Sequence, residues 1–267
     1  MFRLSVVTIK SLLEQPLVIR LSTSRSSLLC ETQFLMKYTK QTCYGVAMIS
    51  REHLGILRLI FQIAQMLLQL NRQQLAQFKS WVSEGFPSPY PQIVKWEVIR
   101  RYGGVGLWIE TGTYYGETTT FLAKLGKKVI SIEPDLNLMQ SAKLKFTEVD
   151  NIEIIFGTSE LILNDLLPSL QLSDLNDISF WLDGHYSGDL TFKGEIDTPI
   201  VIELEYIDKY VLKEVEKVTI LIDDFRCFLP DYLEHLGYPK PEYLVEWATS
   251  RNLHWTIEAD IFIIQKH

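Results

Sequence analysis

From Leu107 to the C-terminus, short apolar runs rich in β-branched residues alternate with stretches of helical period. Strand candidates are Leu107–Thr111, Lys128–Ile132, Ile152–Phe156, Ile178–Leu182, Val218–Ile222, His254–Glu258 and Ile261–Gln265. Helical patterns fill the gaps at Glu117–Leu125, Leu136–Glu148, Ser159–Leu170, Pro199–Glu216 and Pro241–Arg251. Strands joined through helices return in parallel, and apolar runs of this kind need cover on both faces. The pattern predicts an α/β fold built on a doubly wound, seven-stranded, mostly parallel sheet. The last two strands are too close in sequence for a crossover and should pair antiparallel.

The chain before this region divides by character. Residues 1–47 hold six Lys or Arg against two acids, are rich in Ser and Thr, and show no sustained period. They read as a targeting extension, a disordered arm, or translation from upstream of a start at Met48. Residues 48–102 form a helical N-terminal segment, and 103–267 the main domain. Leu54, Leu57, Ile60, Phe61, Ala64, Leu67 and Leu68 recur at helical spacing. Their face suits a membrane surface, the domain, or a second subunit in a homodimer; its Gln-rich polar side favours packing. Arg58, Gln62, Gln65 and Gln69 interrupt the most apolar window, so no transmembrane span is expected. GFPSPYPQ, Gly85 to Gln92, reads as an extended linker, and Ile93 to Tyr102 as a short helix.

Charge and cysteine usage exclude some partners. Twenty-six basic against 33 acidic residues give a net charge of -7, with no basic run, so nucleic acid is not expected as a partner. Cys30, Cys43 and Cys227 are too few and too widely spaced for a disulfide framework or a zinc site. A reduced, cytoplasmic protein is the corresponding expectation.

In a sheet of this kind, ligands sit outside the carboxyl ends of the strands. Those ends are acidic here: Glu110, Glu133, Asp183 and the pair Asp223-Asp224. Asp135 and Asp174 are expected to cap helices or sit in solvated turns. Adjacent like charges at Asp223 and Asp224 call for something positive beside them, either a metal or Arg226. The first strand runs into Gly112-Thr113-Tyr114-Tyr115-Gly116. A dinucleotide fingerprint needs a glycine where Tyr114 stands, and Glu110 would repel a pyrophosphate. S-adenosylmethionine removes both objections, because its ammonium and sulfonium are favoured near Glu110 and its carboxylate near the helix start at Glu117. Glu133, 21 residues past Gly112, is placed to accept both ribose hydroxyls.

At these residues the chain resembles the class I S-adenosylmethionine-dependent methyltransferases, over about Gly103 to the C-terminus. ETGTYYGETT resembles the family's first motif and SIEPD, Ser131 to Asp135, its second. The resemblance implies cofactor contacts from Glu110, Gly112, Thr113, Tyr114, Gly116, Glu133, Thr158, Ser159 and Asp183. In FGTSE, Thr158 stands where the family carries an acid, which transfers the adenine contact to Ser159 or to backbone. FWLDGHYSGDLTFKGEIDTPIVIELEYI and ILIDDFRCF are similar to bacterial O-methyltransferases of glycan and natural-product pathways, including the magnesium-dependent macrocin type. That likeness implies Mg²⁺ on Asp183, Asp223 and Asp224, although Asp183-Gly184-His185 replaces the family's Asp-Gly-Asp. The implied reaction is methylation of a hydroxyl on a sugar or small-molecule acceptor.

His185 and Asp183 are the candidates for the base that takes the hydroxyl proton. Trp108 and Trp181, inside strands, are expected to be core. Lys193, Glu195 and Asp197 fall in a polar loop that suits a lid over the substrate. Two rivals share the fold: an NAD-dependent oxidoreductase, and a non-catalytic protein that binds the adenosyl ligand.

Overall fold

The computed structural model describes residues 71–184, 198–230 and 237–267. Seven strands form one sheet: β1 (Leu107–Thr111), β2 (Lys128–Glu133), β3 (Ile152–Phe156), β4 (Asp177–Leu182), β5 (Lys217–Ile222), β6 (His254–Glu258) and β7 (Ile261–Lys266). Their order is β3-β2-β1-β4-β5-β7-β6. The pairings among β1 to β5 are parallel, and β7 runs antiparallel between β5 and β6. Each strand lies within a residue of its expected place; in β1, β2, β4, β5 and β7, runs buried on both faces leave little choice of period or register.

Alternation along the strands builds two cores. Leu107, Ile109, Ile130, Ile132, Phe180, Ile220 and Phe262 face one side, where Leu163 and Leu167 of α5 (Ser159–Ser169), Leu204 and Ile207 of α6 (Ile200–Tyr210), and Leu244 and Trp247 of α7 (Pro241–Ser250) cover them. Trp108, Val129, Trp181, Leu221 and Ile263 face the other side, against Val98 and Ile99 of α2 (Gln92–Tyr102) and Leu122 of α3 (Glu117–Leu125). Both strand tryptophans are core, as expected. Met139, Ala142 and Phe146, at and just beyond α4 (Leu136–Lys145), pack on Ile154 of β3.

Two helices end earlier than their periodicity predicts. α4 stops at Lys145, where the Thr147 hydroxyl donates to the carbonyls of Lys143 and Leu144 and Val149 N–H turns to Phe146 O. A side chain bonding its own helix in this way competes with the continuing ladder. α6 stops at Tyr210, and Val211, Leu212 and Val215 then enter the core through turns.

The chain divides into two units, residues 1–77 and 78–267. The first is described only from residue 71, where α1 (Arg72–Ser83) begins. Residues 1–47 and the apolar face from Leu54 to Leu68 lie outside the described residues. Among the described residues, no helix is long and apolar enough to cross a membrane. GFPSPYPQ is a packed turn, not an extended linker. Trp81 lies against Phe86 and Tyr90, with ring centroids 5.0 and 5.1 Å apart, and its Nε1–H donates to Pro87 O at 2.8 Å. The Ser88–Pro89 peptide is cis.

The helix that follows is part of the domain's core. Val98 and Ile99 are fully buried, and Trp96 stacks on Phe121 of α3 at 5.1 Å. Truncating Ile99→Ala should therefore cost about 2–5 kcal/mol in urea denaturation of the full chain. Val105→Ala, at an exposed position, should stay within about 0.5 kcal/mol. Equal effects of the two substitutions would show that α2 is not core.

Candidate functional site

The loop between β1 and α3 owes its shape to three residues in left-handed conformation. Gly112 has φ +86° and packs so closely on the end of β4 that a Cβ there would lie 2.6 Å from the Asp183 carbonyl oxygen. Gly116 has φ +68° and caps α3, leaving no room for a Cβ beside the Phe146 ring. Tyr114 has φ +50°, in the left-handed region that favours glycine, although a tyrosine occupies it. Lys145 of α4 holds the loop from outside, donating to the carbonyls of Tyr115 at 2.7 Å and Gly116 at 3.1 Å.

Beneath this loop lies Glu110, fully buried. Its Oε2 accepts from the hydroxyls of Thr119 and Ser131, each at 2.6 Å, and Ser131 in turn pairs with Thr113 at 2.6 Å. Its Oε1 has no partner. Burial pushes the Glu110 carboxyl up to about 7, opposed by the Ser131 and Thr119 hydrogen bonds, with Glu133 adding to the rise and Lys145 working against it. A buried carboxylate with one bare oxygen is costly unless a positive group approaches it.

Glu133 ends β2 with its carboxylate against the loop. Oε2 accepts from Tyr114 N–H at 2.7 Å and Oε1 from Asp135 N–H at 2.9 Å, and the Thr113 backbone N–H adds to the stabilisation of the carboxylate. Burial raises its pKa against those backbone hydrogen bonds. Asp135 caps α4 through Asn137 and Leu138 N–H, and Asp174 is exposed in a short turn, both as expected. Beyond β3, Gly157 has φ +145° and donates to Glu133 O at 3.1 Å. Thr158 precedes α5 without capping it, and its buried Oγ1 has no partner; Ser159 beside it is buried. Leu136 and Phe156, just past β2 and at the end of β3, are about half exposed at 49% and 48%. Tyr114 and Tyr115, 4.2 Å apart between ring centroids, are exposed on the loop.

Asp183, Asp223 and Asp224 come together at the ends of β4 and β5, each offering an oxygen within 4.8 Å of the others. All four oxygens of the adjacent pair are already engaged. Asp223 Oδ1 accepts from Asp224 N–H at 2.8 Å, and Asp223 Oδ2 from the Lys95 ammonium at 2.7 Å. Asp224 Oδ1 accepts from Lys95 at 2.8 Å and from Arg226 Nη1, while Asp224 Oδ2 accepts from Arg226 Nη2 at 2.9 Å. Arg226 continues to Asp260 through Nη1 and through its backbone N–H at 2.8 Å. Asp224 itself has φ +52°, a conformation that aspartate tolerates better than most residues. Burial and then Asp183 raise the Asp223 carboxyl above the usual range, against the pull of Lys95. Burial works to lower the Lys95 pKa, but Asp223, Asp224 and Asp183 overcome it and raise it.

This arrangement bears on the magnesium expectation. Three carboxylates are a suitable hard-oxygen donor set by type. In this arrangement the oxygens of Asp223 and Asp224 are bound by an ammonium and a guanidinium, so the pair does not fit an ion unless Lys95 gives way. Arg226 neutralises Asp224 as the sequence allowed. His185, Lys193, Glu195 and Asp197 lie outside the described residues.

Sequence reasoning missed Lys95, Thr119, Ser131, Lys145 and Asp260. Lys95 did leave a signal. Val98 and Ile99 follow it by three and four residues, which puts its side chain on the buried face of α2, and a buried ammonium demands carboxylates. Ser131 becomes visible once β1 and β2 are paired, because it lies opposite Glu110.

No protein-family model matches the chain, and no curated protein matches it in sequence. Among solved structures, an O-methyltransferase from Bacillus cereus in complex with SAH is 15% identical, with a TM-score of 0.47, over 77% of this chain and 95% of that one. The DhpI–SAH complex is 16% identical, with a TM-score of 0.42, over 73% and 94%. The 23S rRNA methyltransferase ErmE is 14% identical, with a TM-score of 0.39, over 66% and 67%.

Proposed function

We propose that this chain binds S-adenosylmethionine on the Gly112–Gly116 loop and transfers its methyl group to a hydroxyl of a sugar or small-molecule acceptor. The observation that carries the reading is the buried Glu110 carboxylate under the loop, with Oε1 unpartnered. A dinucleotide would bring its pyrophosphate toward that charge, which disfavours the oxidoreductase alternative. A sulfonium and an ammonium instead bring the positive charge the site lacks.

The remaining contacts follow from the loop. Glu133 supplies the carboxylate for the ribose hydroxyls, Thr158 and Ser159 after β3 the adenine contact, and Leu136 and Phe156 offer apolar surface near the same strand ends. Methyl transfer breaks the C–S bond, with its electron pair left on sulfur, as the acceptor oxygen forms the new C–O bond. The protein's part is in-line placement and removal of the hydroxyl proton. Asp183, whose carbonyl touches the Gly112 turn and whose carboxylate belongs to the acidic cluster, joins the cofactor end to the acceptor end and is assigned as the base with His185. Magnesium assistance would need Asp223 and Asp224 free to ligate, so the reading leaves the acceptor hydroxyl to Asp183 and His185 without an ion.

Calorimetry of the full chain tests the cofactor assignment. S-adenosylmethionine and S-adenosylhomocysteine should bind and NADH should not, and Glu133→Ala should weaken binding by about tenfold or more. A preference for NADH, or unchanged affinity in Glu133→Ala, would contradict the assignment. A methyl-labelled donor should then give labelled product from a glycan or small-molecule pool; binding without product would indicate a non-catalytic adenosyl-binding protein.

Proton linkage gives a second prediction. Glu110 is largely protonated below its pKa of about 7, and a bound cation favours its ionised form. Binding should therefore expel a proton, and affinity for S-adenosylmethionine should rise about fivefold from pH 6 to pH 7, below the range in which the ligand's own α-amino group titrates. Glu133 and Lys145 face the same group, so Glu110→Gln isolates its share: that variant should lose most of the pH dependence. A flat profile in the unmodified protein would refute the role given to Glu110.

A further inference from the structure

We propose that the ammonium of Lys95 is the permanent cation of the three-aspartate cluster, standing where a divalent metal ion would, so that the cluster is held together without metal. Lys95 is then a positioning residue. It acts through Asp223 and Asp224, and it belongs to a helix that precedes the whole sheet.

Three observations carry this. The first is the count of oxygens on the adjacent pair: Lys95 takes one from Asp223 at 2.7 Å and one from Asp224 at 2.8 Å, Arg226 spans both oxygens of Asp224, and the Asp224 N–H takes the fourth, Asp223 Oδ1. An ion entering between the two carboxylates would have to displace the ammonium first, and two cations cannot share that gap. The second is burial. Lys95 is 6% exposed, so an ammonium expelled from the cluster would lose its partners without gaining water. The third is the rigidity of its support. α2 is pinned by Val98 and Ile99 in the core, by Trp96 stacked on Phe121 at an interplanar angle of 7°, and by Gln92 Nε2 donating to Thr118 Oγ1 at 2.9 Å. Phe121 and Thr118 belong to α3, the helix that the cofactor loop opens. The same helix therefore braces the cofactor loop and fills the acidic cluster.

The statement about metal stands on the cluster alone; its bearing on the methyl acceptor rests on the methyl-transfer reading. A fragment starting at Gly103 would lack the cation.

Mn²⁺ is the probe, titrated into the full chain and followed by calorimetry and by electron paramagnetic resonance. The unmodified protein should show no saturable Mn²⁺ binding up to about 1 mM, a range in which even weak carboxylate sites fill. Lys95→Ala should gain Mn²⁺ affinity by at least about tenfold, and the gain should vanish in Lys95→Ala with Asp223→Asn. If Lys95→Ala does not fold, Lys95→Gln serves in its place and is expected to show the same gain. Saturable Mn²⁺ binding by the unmodified protein that Asp223→Asn removes would overturn the proposal. So would a folded Lys95 variant that gains nothing. S-adenosylhomocysteine titrated into the same samples separates the two readings. Failure of that ligand to bind, with the Mn²⁺ pattern intact, counts against methyl transfer alone; the reverse counts against Lys95 alone.

Discussion

A carboxylate taken out of water has to be answered by a hydrogen-bond donor or a positive charge, and this sheet buries four of them at the ends of its parallel strands. Glu110 is answered on one oxygen by two hydroxyls, and Glu133 by backbone amides of its own loops. Asp223 and Asp224 are answered by Lys95 and Arg226. The positions of α2, of the Gly112 loop and of the turn after β5 all follow from these needs. What remains unanswered, Glu110 Oε1, marks the place where a ligand can contribute.

The two halves of the site are tied together mechanically as well as by charge. α2 lies across α3 through Trp96 and Phe121 while its lysine reaches the end of β5. The close approach of Gly112 to the Asp183 carbonyl joins β1's loop to β4's end from the other side. The contacts of α2 explain why a region that sequence alone assigns to a helical N-terminal segment ends in the core of the sheet domain.

The sheet was legible because its residues alternate in a way that admits one arrangement. Leu107, Ile109 and Trp108 must go to opposite faces, and both faces turn out to be covered. The sharp loop after β1 is legible from Gly112 and Gly116, which take the left-handed conformations that such a turn requires. Long-range partners were not. Lys95 and Asp223 are 128 positions apart, and nothing local to either names the other; only the lysine's place on an apolar helical face hints that it must be paired. Thr119 and Ser131 are ordinary polar residues until strand pairing sets Ser131 beside Glu110. Helix ends were misjudged at Lys145 and Tyr210, where apolar residues continue the period although the backbone has already turned.

The most direct test is a crystal structure of the full chain with S-adenosylhomocysteine in the presence of MgCl₂. The account predicts the ligand on the Gly112–Gly116 loop, its ribose on Glu133 and its ammonium toward Glu110, with Lys95 Nζ still on Asp223 and Asp224. An empty loop, or a metal ion between those aspartates with Lys95 displaced, would contradict it.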